Sequence, residues 1–411
     1  MSFVMTEAIQ EKWKPIIEAE GVDAIKSTSM KNLTIQVLEN MVSEVGNDAA
    51  SVITGTGDSS YAQNGVINPV LISLVRRAMP ALIANDLVGV QPMSMPTGLI
   101  FAMRSYRDAK GSGTETFVPG VENPTLATVT TAAGEVLGTE TTNATTGSYV
   151  QNEVNTQVSP WTEVSFGIEK TSVEAKTRAM KASYTMELAQ DLKAQHGLDA
   201  ETELANLLTQ EVLTEMNREI VTLIGTKATT EAMTVVASTP FAVTGEYDVD
   251  LADGRWAAEK YRMLAGYISK VANHIALSTG RGQGNFIITS PDVANALEIA
   301  GTLTSAPIAV GLDNVSGIGV TLAGSLFGGR IKVYVDQYNT TDEVICGYKG
   351  SSSYDAGIFY CPYVPLQMMK AQGPDDFQPR IGFKSRYGLA DNPFGANTYY
   401  RKFVVKGLSG A

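Results

Sequence analysis

Between Glu201 and Gly225 the apolar residues Leu204, Leu208, Val212, Met216, Ile220 and Ile224 fall four apart. On a helix of 3.6 residues per turn such a row drifts by about 40° per step. A stripe that spirals meets several neighbours in turn, so the spacing predicts a long helix crossed by different elements rather than one edge of a bundle. Asp199 stands where an N-cap belongs, Glu201 and Glu203 occupy the first turn, and Gly225 marks the expected end. Upstream, MELAQDLKAQHG reads as a shorter helix with Gly197 as its C-cap. Downstream, RWAAEKYRMLAGYISKVANHIALSTG puts Leu264, Tyr267, Ile268, Val271 and Ile275 on one face.

Past that helix the period changes. NFIITS is an apolar strand, PDVANALEIAG a helix with proline in its first turn, and RIKVYVDQY, DEVICGYKG, AGIFYCPYVP and RIGFKSRYGLA read as strands. SYDAGIFYCPYVP gathers tyrosines, an aspartate and a cysteine, but its alternation predicts a half-buried strand rather than a site. The fold class expected is α+β, without internal repeats.

The N-terminal third is less regular. Residues 1–44 read as a separate, mostly helical and acidic segment. The Gly-, Ser- and Asn-rich stretch from Asn47 to Pro69 carries no helical stripe and reads as an extended arm. A short apolar helix with the basic pair Arg76 and Arg77 is expected to stop at Pro80. From Gly111 to Glu169 there is no lysine or arginine, while seven glutamates, Glu115, Glu122 and Glu135 among them, lie in the span. Threonine is dense there, which favours extended structure but supplies little apolar surface. Two readings fit: a disordered surface loop, or a projecting β arm that becomes ordered on a neighbour. Its flanks are basic, with Arg104, Arg107 and Lys110 before it and Lys170, Lys176, Arg178 and Lys181 after it.

The totals narrow the functional classes. With 411 residues and 44% hydrophobic content the chain can bury a substantial core in one elaborated domain or two or three smaller ones. A net charge of −12 argues against a protein that grips nucleic acid through its phosphates, though not against one that lies near it. The two cysteines, Cys346 and Cys361, lack metal-ligand spacing and suit a reducing compartment. The first residues carry acids throughout and are not expected to be a secretory signal, and no apolar run is long enough to span a membrane. Any histidine-based triad or metal site would have to use His196 or His274, the two histidines present. Each lies near an expected helix end, where a structural role with the helix dipole suffices.

The run STGRGQGNFIITS, with Gly280, Gly282 and Gly284 around Arg281, resembles a phosphate loop. A dinucleotide or P-loop site needs the order strand, glycine loop, helix, so that phosphate meets the positive helix N-terminus. Here the order is helix, loop, strand, and no Lys-Ser or Lys-Thr follows the last glycine. The run is expected to be a C-cap and a turn. No catalytic, cofactor-binding or metal-ligating residue is predicted.

Several stretches occur together in a fixed order: VRRAMPALIANDLVGVQPMSMPTGLIFAMR, IEKTSVEAKTRAMKASYTMELAQDLKAQHGLDAETEL, NREIV, RWAAEK, TGRGQGNFIITS, YVDQY, ICGYKG, DAGIFYCPYVP, FQPRIGFKSRYGLADNPF and YYRKFVVKG. As an ordered set, covering most of the chain from Pro69 to Gly407, they resemble the major capsid protein of T-even-type tailed bacteriophages. The resemblance implies an HK97-like capsid fold. Residues 1–44 would be a propeptide-like segment, 45–69 an N-arm, 70–106 the start of the peripheral domain, 107–165 the E-loop, 166–249 the peripheral domain with its spine helix, 250–372 the axial domain and 373–411 strands completing the body. It implies hexamers tiling an icosahedral shell in the virion, assembled in the bacterial host cytoplasm. The implied partners are neighbouring capsomers, and a vertex protein, scaffold, portal and prohead protease during assembly. Packaged DNA would be met only non-specifically, and no membrane insertion is expected. By the same resemblance a protease would cut within VSEVG, between Glu44 and Val45. Glu115, Glu122 and Glu135 of the E-loop, with Arg104, Arg107, Lys176 and Arg178 at its root, would make intersubunit contacts.

Two departures qualify the resemblance. T-even relatives carry a large insertion domain in the E-loop region, and too few residues lie between Tyr106 and Trp161 to hold it. Some shells of this fold crosslink an E-loop lysine to a neighbour's asparagine, and this stretch has no lysine between Gly111 and Glu169. A pentameric vertex protein or an encapsulin-like shell of the same fold, and more remotely a nucleotide-binding enzyme using Gly280–Gly284, remain as alternatives.

Overall fold

The computed structural model describes residues 28–47, 82–107, 164–197, 199–231, 245–249, 256–305, 320–352, 354–373 and 378–408, with Gln10 and Trp13. Its first element is helix α1, Thr28–Asn47. Leu33, Thr34, Val37 and Leu38 recur at one-turn spacing and are all buried, with Ile35 beside them. Thr34 donates its hydroxyl back to the Met30 carbonyl (2.7 Å), which satisfies it inside the core. Trp13 is 1% exposed and donates its indole N–H to Glu39 (2.7 Å). Asn40 reaches the carbonyls of Met93 (2.6 Å) and Tyr363 (3.1 Å). Trp13 and helix α1, from the segment expected to stand apart, therefore belong to the main core, because α1 has a continuous apolar face that needs cover. The arm expected at 45–69 does not start as extended chain, since α1 continues through Asn47; its remainder, the Arg76–Arg77 stretch and the acidic stretch at 108–163 lie outside the described residues.

A single turn, α2 (Ala84–Leu87), leads into strand β1 (Gly89–Val90). Strands β2 (Thr97–Arg107), β3 (Val164–Glu174) and β4 (Lys176–Ser183) follow. Helix α3 (Met186–Gln195) is capped by Thr185, whose side chain accepts from the Leu188 N–H, and Gly197 follows its end with φ of 67°. The long helix α4 runs Ala200–Lys227 after Asp199. It passes the expected stop at Gly225. A Cβ there would lie 3.3 Å from Ile345, so glycine serves a close approach inside the helix rather than ending it. The expected spiral is realised: Leu208, Val212, Met216, Ile220 and Ile224 are buried, Leu204 partly so.

The remaining elements are β5 (Thr229–Thr230), β6 (Glu246–Asp248), α5 (Ala257–Thr279), β7 (Phe286–Thr289), α6 (Pro291–Ile299) and β8 (Leu303–Ser305). Then come β9 (Val320–Leu326), β10 (Ile331–Asp336), β11 (Glu343–Gly347), β12 (Ile358–Gln372), β13 (Pro379–Asp391) and β14 (Tyr400–Lys406). Three sheets result. One has the order β1-β12-β13-β4, a second runs β5-β14-β11-β7-β10-β9-β8 with β6 also on β14, and β2 pairs with β3. Strand β12, at the end of the 250–372 stretch, belongs to the first sheet, while β14, near the C-terminus, belongs to the second.

The second sheet is covered on both faces. Phe286, Ile288, Ile345 and Tyr400 join the core built on α4, whereas Ile287, Val333, Val344 and Phe403 pack under α5 and α6. Tyr267 meets Phe403 edge-on at 4.6 Å. In β12, Ile358 to Pro362 are buried without alternation, which corrects the half-buried expectation. Ile358 and Tyr360 face the α4 core, and Phe359 and Cys361 lie under a separate cluster formed with Ile100 and Val173. A strand covered on both sides loses its polar face.

One half-buried cation ties the start of the body to the second sheet. Lys349, after β11, donates its ammonium to the Asn85 carbonyl on α2. Burial pushes its amine down from 10.5 to about 8, with partial opposition from Asp86. Between those values the unfolded chain still binds the proton and the folded one does not, so stability rises with pH through that window. We expect Lys349→Met to flatten the rise, removing up to about 3 kcal/mol of pH dependence in denaturant titrations between pH 8 and 10. Leu38→Ala should lower unfolding stability by about 3 kcal/mol, as for other core truncations; a loss near zero would show α1 to be dispensable packing.

Candidate assembly surfaces

Strands β2 and β3 form a two-stranded antiparallel ribbon, paired from Thr97↔Glu174 at its root to Arg107↔Val164 at its far end. At about 3.4 Å per residue it is roughly 35 Å long. Alternation gives it two unlike faces. At the root Ile100 and Val173 are buried with Met93 against Phe359, Cys361 and Ala390. Gly388 on β13 permits this crossing, since a Cβ there would come within 2.6 Å of Val173 and 2.7 Å of the Glu174 carbonyl oxygen. On the other face Leu99 and Phe101 lie opposite Ser172 and Lys170, and Ile168 and Phe166 continue the same face by register. Leu99, Phe101, Phe166 and Ile168 are 53%, 51%, 68% and 62% exposed. Four large apolar groups thus project along one side of a ribbon that, with two strands, is marginal alone. The stretch 108–163 joins the strands at the far end, and Glu115, Glu122 and Glu135 lie outside the described residues.

The basic residues expected to cluster at the root are separated. Arg104 and Arg107 lie on β2 towards the far end, with side chains outside the described residues. Lys176 and Arg178 lie on β4, in the four-stranded sheet. Lys176 is exposed. Arg178 is engaged within its own chain: it binds Glu219 on α4, and the Tyr387 hydroxyl donates to the same carboxylate at 2.5 Å. The Tyr387 hydrogen bond first, and Glu219 after it, raise the guanidinium above its ordinary value against the cost of burial. Burial, aided by Glu219, likewise pushes the Tyr387 phenol up. Arg178, Arg218, Glu219, Lys227 and Asp391 line an open cleft of about 830 Å³ between α4 and the sheet. Lys227 pairs with Asp391, so the cleft presents matched charges rather than a convergent reactive set.

The glycine run is a helix stop. Gly280 has φ of 65° and caps α5, its N–H bonded to the Ala276 carbonyl at 2.8 Å. Arg281 is paired to Asp355 (3.0 Å), which also accepts from Tyr348 (3.1 Å). The helix presents its carbonyl end to the loop, a poor place for phosphate. His274, on α5, lies 2.6 Å from Glu231, whose other oxygen accepts from Arg401 at 2.9 Å. Glu231 is 1% exposed, and its N–H also bonds the Lys402 carbonyl (2.9 Å). This buried carboxylate fastens the exit of α4 to α5 and β14, so His274 is held by Glu231 within α5 rather than by the helix end. His196 is exposed beyond α3. Among the described residues no cluster of His, Cys, Asp and Glu is placed to hold a metal ion, and no helix is long and apolar enough to cross a membrane.

Sequence reasoning did not single out Glu219, Tyr387, Glu231 or Arg401. Each is one polar residue in an ordinary amphipathic pattern, and only the tertiary approach of distant segments pairs them. The ribbon face could have been read: Leu99 and Phe101 alternate, as do Phe166 and Ile168.

Comparison with known proteins agrees with the ordered motifs. Residues 64–405 match the family described as major capsid protein Gp23. The major capsid protein of Vibrio phage KVP40 is 34% identical over 97% of this chain and 100% of its own length. That of Enterobacteria phage T4 is 32% identical over 97% of this chain and 98% of its own. These alignments extend over 513 and 520 positions, so both relatives carry residues this chain of 411 lacks. The capsid vertex protein of Enterobacteria phage T4 is 29% identical over 56% of this chain and 53% of its own length. Among solved structures, the capsid of Myoviridae phage XM1 aligns over 77% of this chain and 89% of its own at 10% identity, with a TM-score of 0.41. An alignment that distant adds nothing to the sequence match.

Proposed function

The chain belongs to the family of the major capsid protein Gp23, and from that membership we propose how its subunits close into a shell. It is a structural, non-enzymatic component of the phage head, and it acts by self-assembly. Major capsid proteins align with nearly the whole chain, whereas the vertex protein aligns with about half of it.

In the proposed arrangement, subunits form hexamers of an HK97-like architecture. The arm at 45–69 and the E-loop at 107–165 reach out to neighbours, residues 70–106 and 166–249 supply the peripheral body around α4, 250–372 the axial domain, and 373–411 the completing strands. The exposed apolar face of the ribbon carries this reading. Covering the exposed parts of Leu99, Phe101, Phe166 and Ile168 would contribute on the order of 1–2 kcal/mol each, and nothing described in the chain covers them. A neighbouring copy does so, through interfaces repeated by closed symmetry, so that individually weak contacts suffice. Ordering of the acidic stretch only on contact costs conformational entropy and keeps single subunits from locking early. Glu115, Glu122 and Glu135, with Arg104, Arg107 and Lys176, contribute to these contacts. Arg178 would do so only by leaving Glu219. The greater length of both relatives supports the absence of an E-loop insertion domain here. A vertex protein, scaffold, portal and prohead protease are the further assembly partners, and packaged DNA is met non-specifically.

Processing between Glu44 and Val45 is part of the same reading. That bond lies near the end of α1, so cutting there requires the last turn to unwind. Two outcomes are expected. Subunits taken from mature particles should begin at Val45 by intact-mass measurement; any other start refutes this site. Deleting residues 111–158, or changing Phe101→Ser with Phe166→Ser, should leave soluble folded subunits but few closed particles by electron microscopy. Normal particles from both variants would sink the ribbon's role.

A further inference from the structure

We propose that Asn40 is a pin: through it helix α1 fixes the angle at which the β2–β3 ribbon leaves the body, and cutting most of α1 away frees that angle. The release rests on the processing proposed above; the pin does not.

The ribbon departs at a fork. Strand β1 lies parallel to β12, pairing Gly89 with Phe359 and Val90 with Tyr360. The Gln91 N–H continues the contact to the Tyr360 carbonyl (2.9 Å), and the Met93 N–H to the Pro362 carbonyl (3.0 Å). There the two segments part. Pro362 and Pro365 have no N–H to offer, and the register of β12 against β13 slips on either side of Val364. The chain turns away and enters β2 at Thr97. The Asn40 side chain closes the fork, its Nδ2 donating to the Met93 carbonyl at 2.6 Å and to the Tyr363 carbonyl at 3.1 Å. An amide nitrogen carries two hydrogens, one for each side of the split.

From the fork the constraint runs into the ribbon. Met93 is buried in the root cluster with Ile100 and Val173. Gly98 admits it, since a Cβ there would lie 3.0 Å from the Met93 sulfur. The Pro96 carbonyl accepts from the Ala175 N–H at 2.8 Å, which ties the two legs of the ribbon together. At the other end of the pin, Leu33, Ile35, Val37 and Leu38 seat α1 in the core shared with α4. Apolar packing of this kind resists separation without prescribing a direction. Hydrogen bonds to two fixed carbonyls prescribe one. The lever is long: over a ribbon of roughly 35 Å, a change of about 10° at the root moves the far end by about 6 Å. A cut between Glu44 and Val45 takes Asn40 away with α1. Both carbonyls then turn to water, which sets no angle, and a second copy can select among several positions of the apolar face.

Hydrogen exchange on the full, unassembled chain tests the pin. Asn40→Asp keeps the shape of the side chain but has no donor for either carbonyl. It should speed exchange of the Met93 amide, and of the root ladder at 97–100 and 171–174, about tenfold, leaving the amides of α5 at their wild-type rate. Circular dichroism should confirm that the variant folds; if it does not, Asn40→Ser, which keeps one donor, replaces it with a smaller change expected. Thr34→Ala, buried on α1 away from the fork, should lower the melting temperature without speeding the root. A root unchanged in the Asn40 variant overturns the pin, and so does a root loosened equally by Thr34→Ala, which would make α1 ordinary packing. The release is read in shells by electron microscopy. The angle between ribbon and four-stranded sheet in unprocessed Asn40→Asp shells should differ from that in unprocessed wild-type shells and match that in processed ones. One angle in all three overturns the release. A mature subunit that starts elsewhere than Val45 refutes the proposed cut, while exchange in Asn40→Asp still decides the pin.

Discussion

One helix holds the described fold together. The spiralling stripe of α4 turns by about 40° each time its row advances four residues, so Leu208 to Ile224 face more than one direction. They pack with Ile381 and Phe383 of one sheet and with Phe286, Ile345 and Tyr400 of the other in a single core. A straight stripe could have served one sheet only. The second sheet is then closed from its other side by α5 and α6, and the Glu231 carboxylate, held by His274 and Arg401, ties the exit of α4 to both α5 and β14. Removing His274 or Arg401 would leave the buried Glu231 charge short of a partner, which makes this fastening costly to break.

Against this body the β2–β3 ribbon is an unfinished element. It is anchored at one end by Ile100, Val173 and the close approach allowed by Gly388, and it carries apolar groups on a face that no described residue covers. For a family whose members work as head shells, such incompleteness is a functional property, because a subunit that satisfied all its surfaces would have no reason to associate.

The N-terminal segment adds a tension within the subunit. Trp13, Leu33, Val37 and Leu38 share a core with α4, so α1 contributes to the body's packing. A segment that is both structural and removable would have its loss coupled to repacking of that core. Glycine illustrates a smaller version of the same lesson. Gly280 and Gly197 end helices, as their positions suggested, but Gly225 lies inside one because Ile345 approaches there.

Local periodicity and order were legible in the chain itself. The four-residue spacing named α4, the face of Leu264 to Ile275 named α5, and the sequence of helix, glycines and strand excluded a phosphate loop in favour of a cap. The motif order named the family. These features depend on neighbours within a few turns, where backbone geometry alone relates spacing to direction. Other features needed the folded chain. Arg178 looked like open basic ground until Glu219 and Tyr387, distant in sequence, closed on it. Strand β12 looked half-buried until the ribbon root covered its second face, and residues 1–44 looked detached until α1 proved to share the core. In each case the deciding contact joins segments far apart along the chain, and their approach is fixed by packing of whole elements rather than by any local pattern.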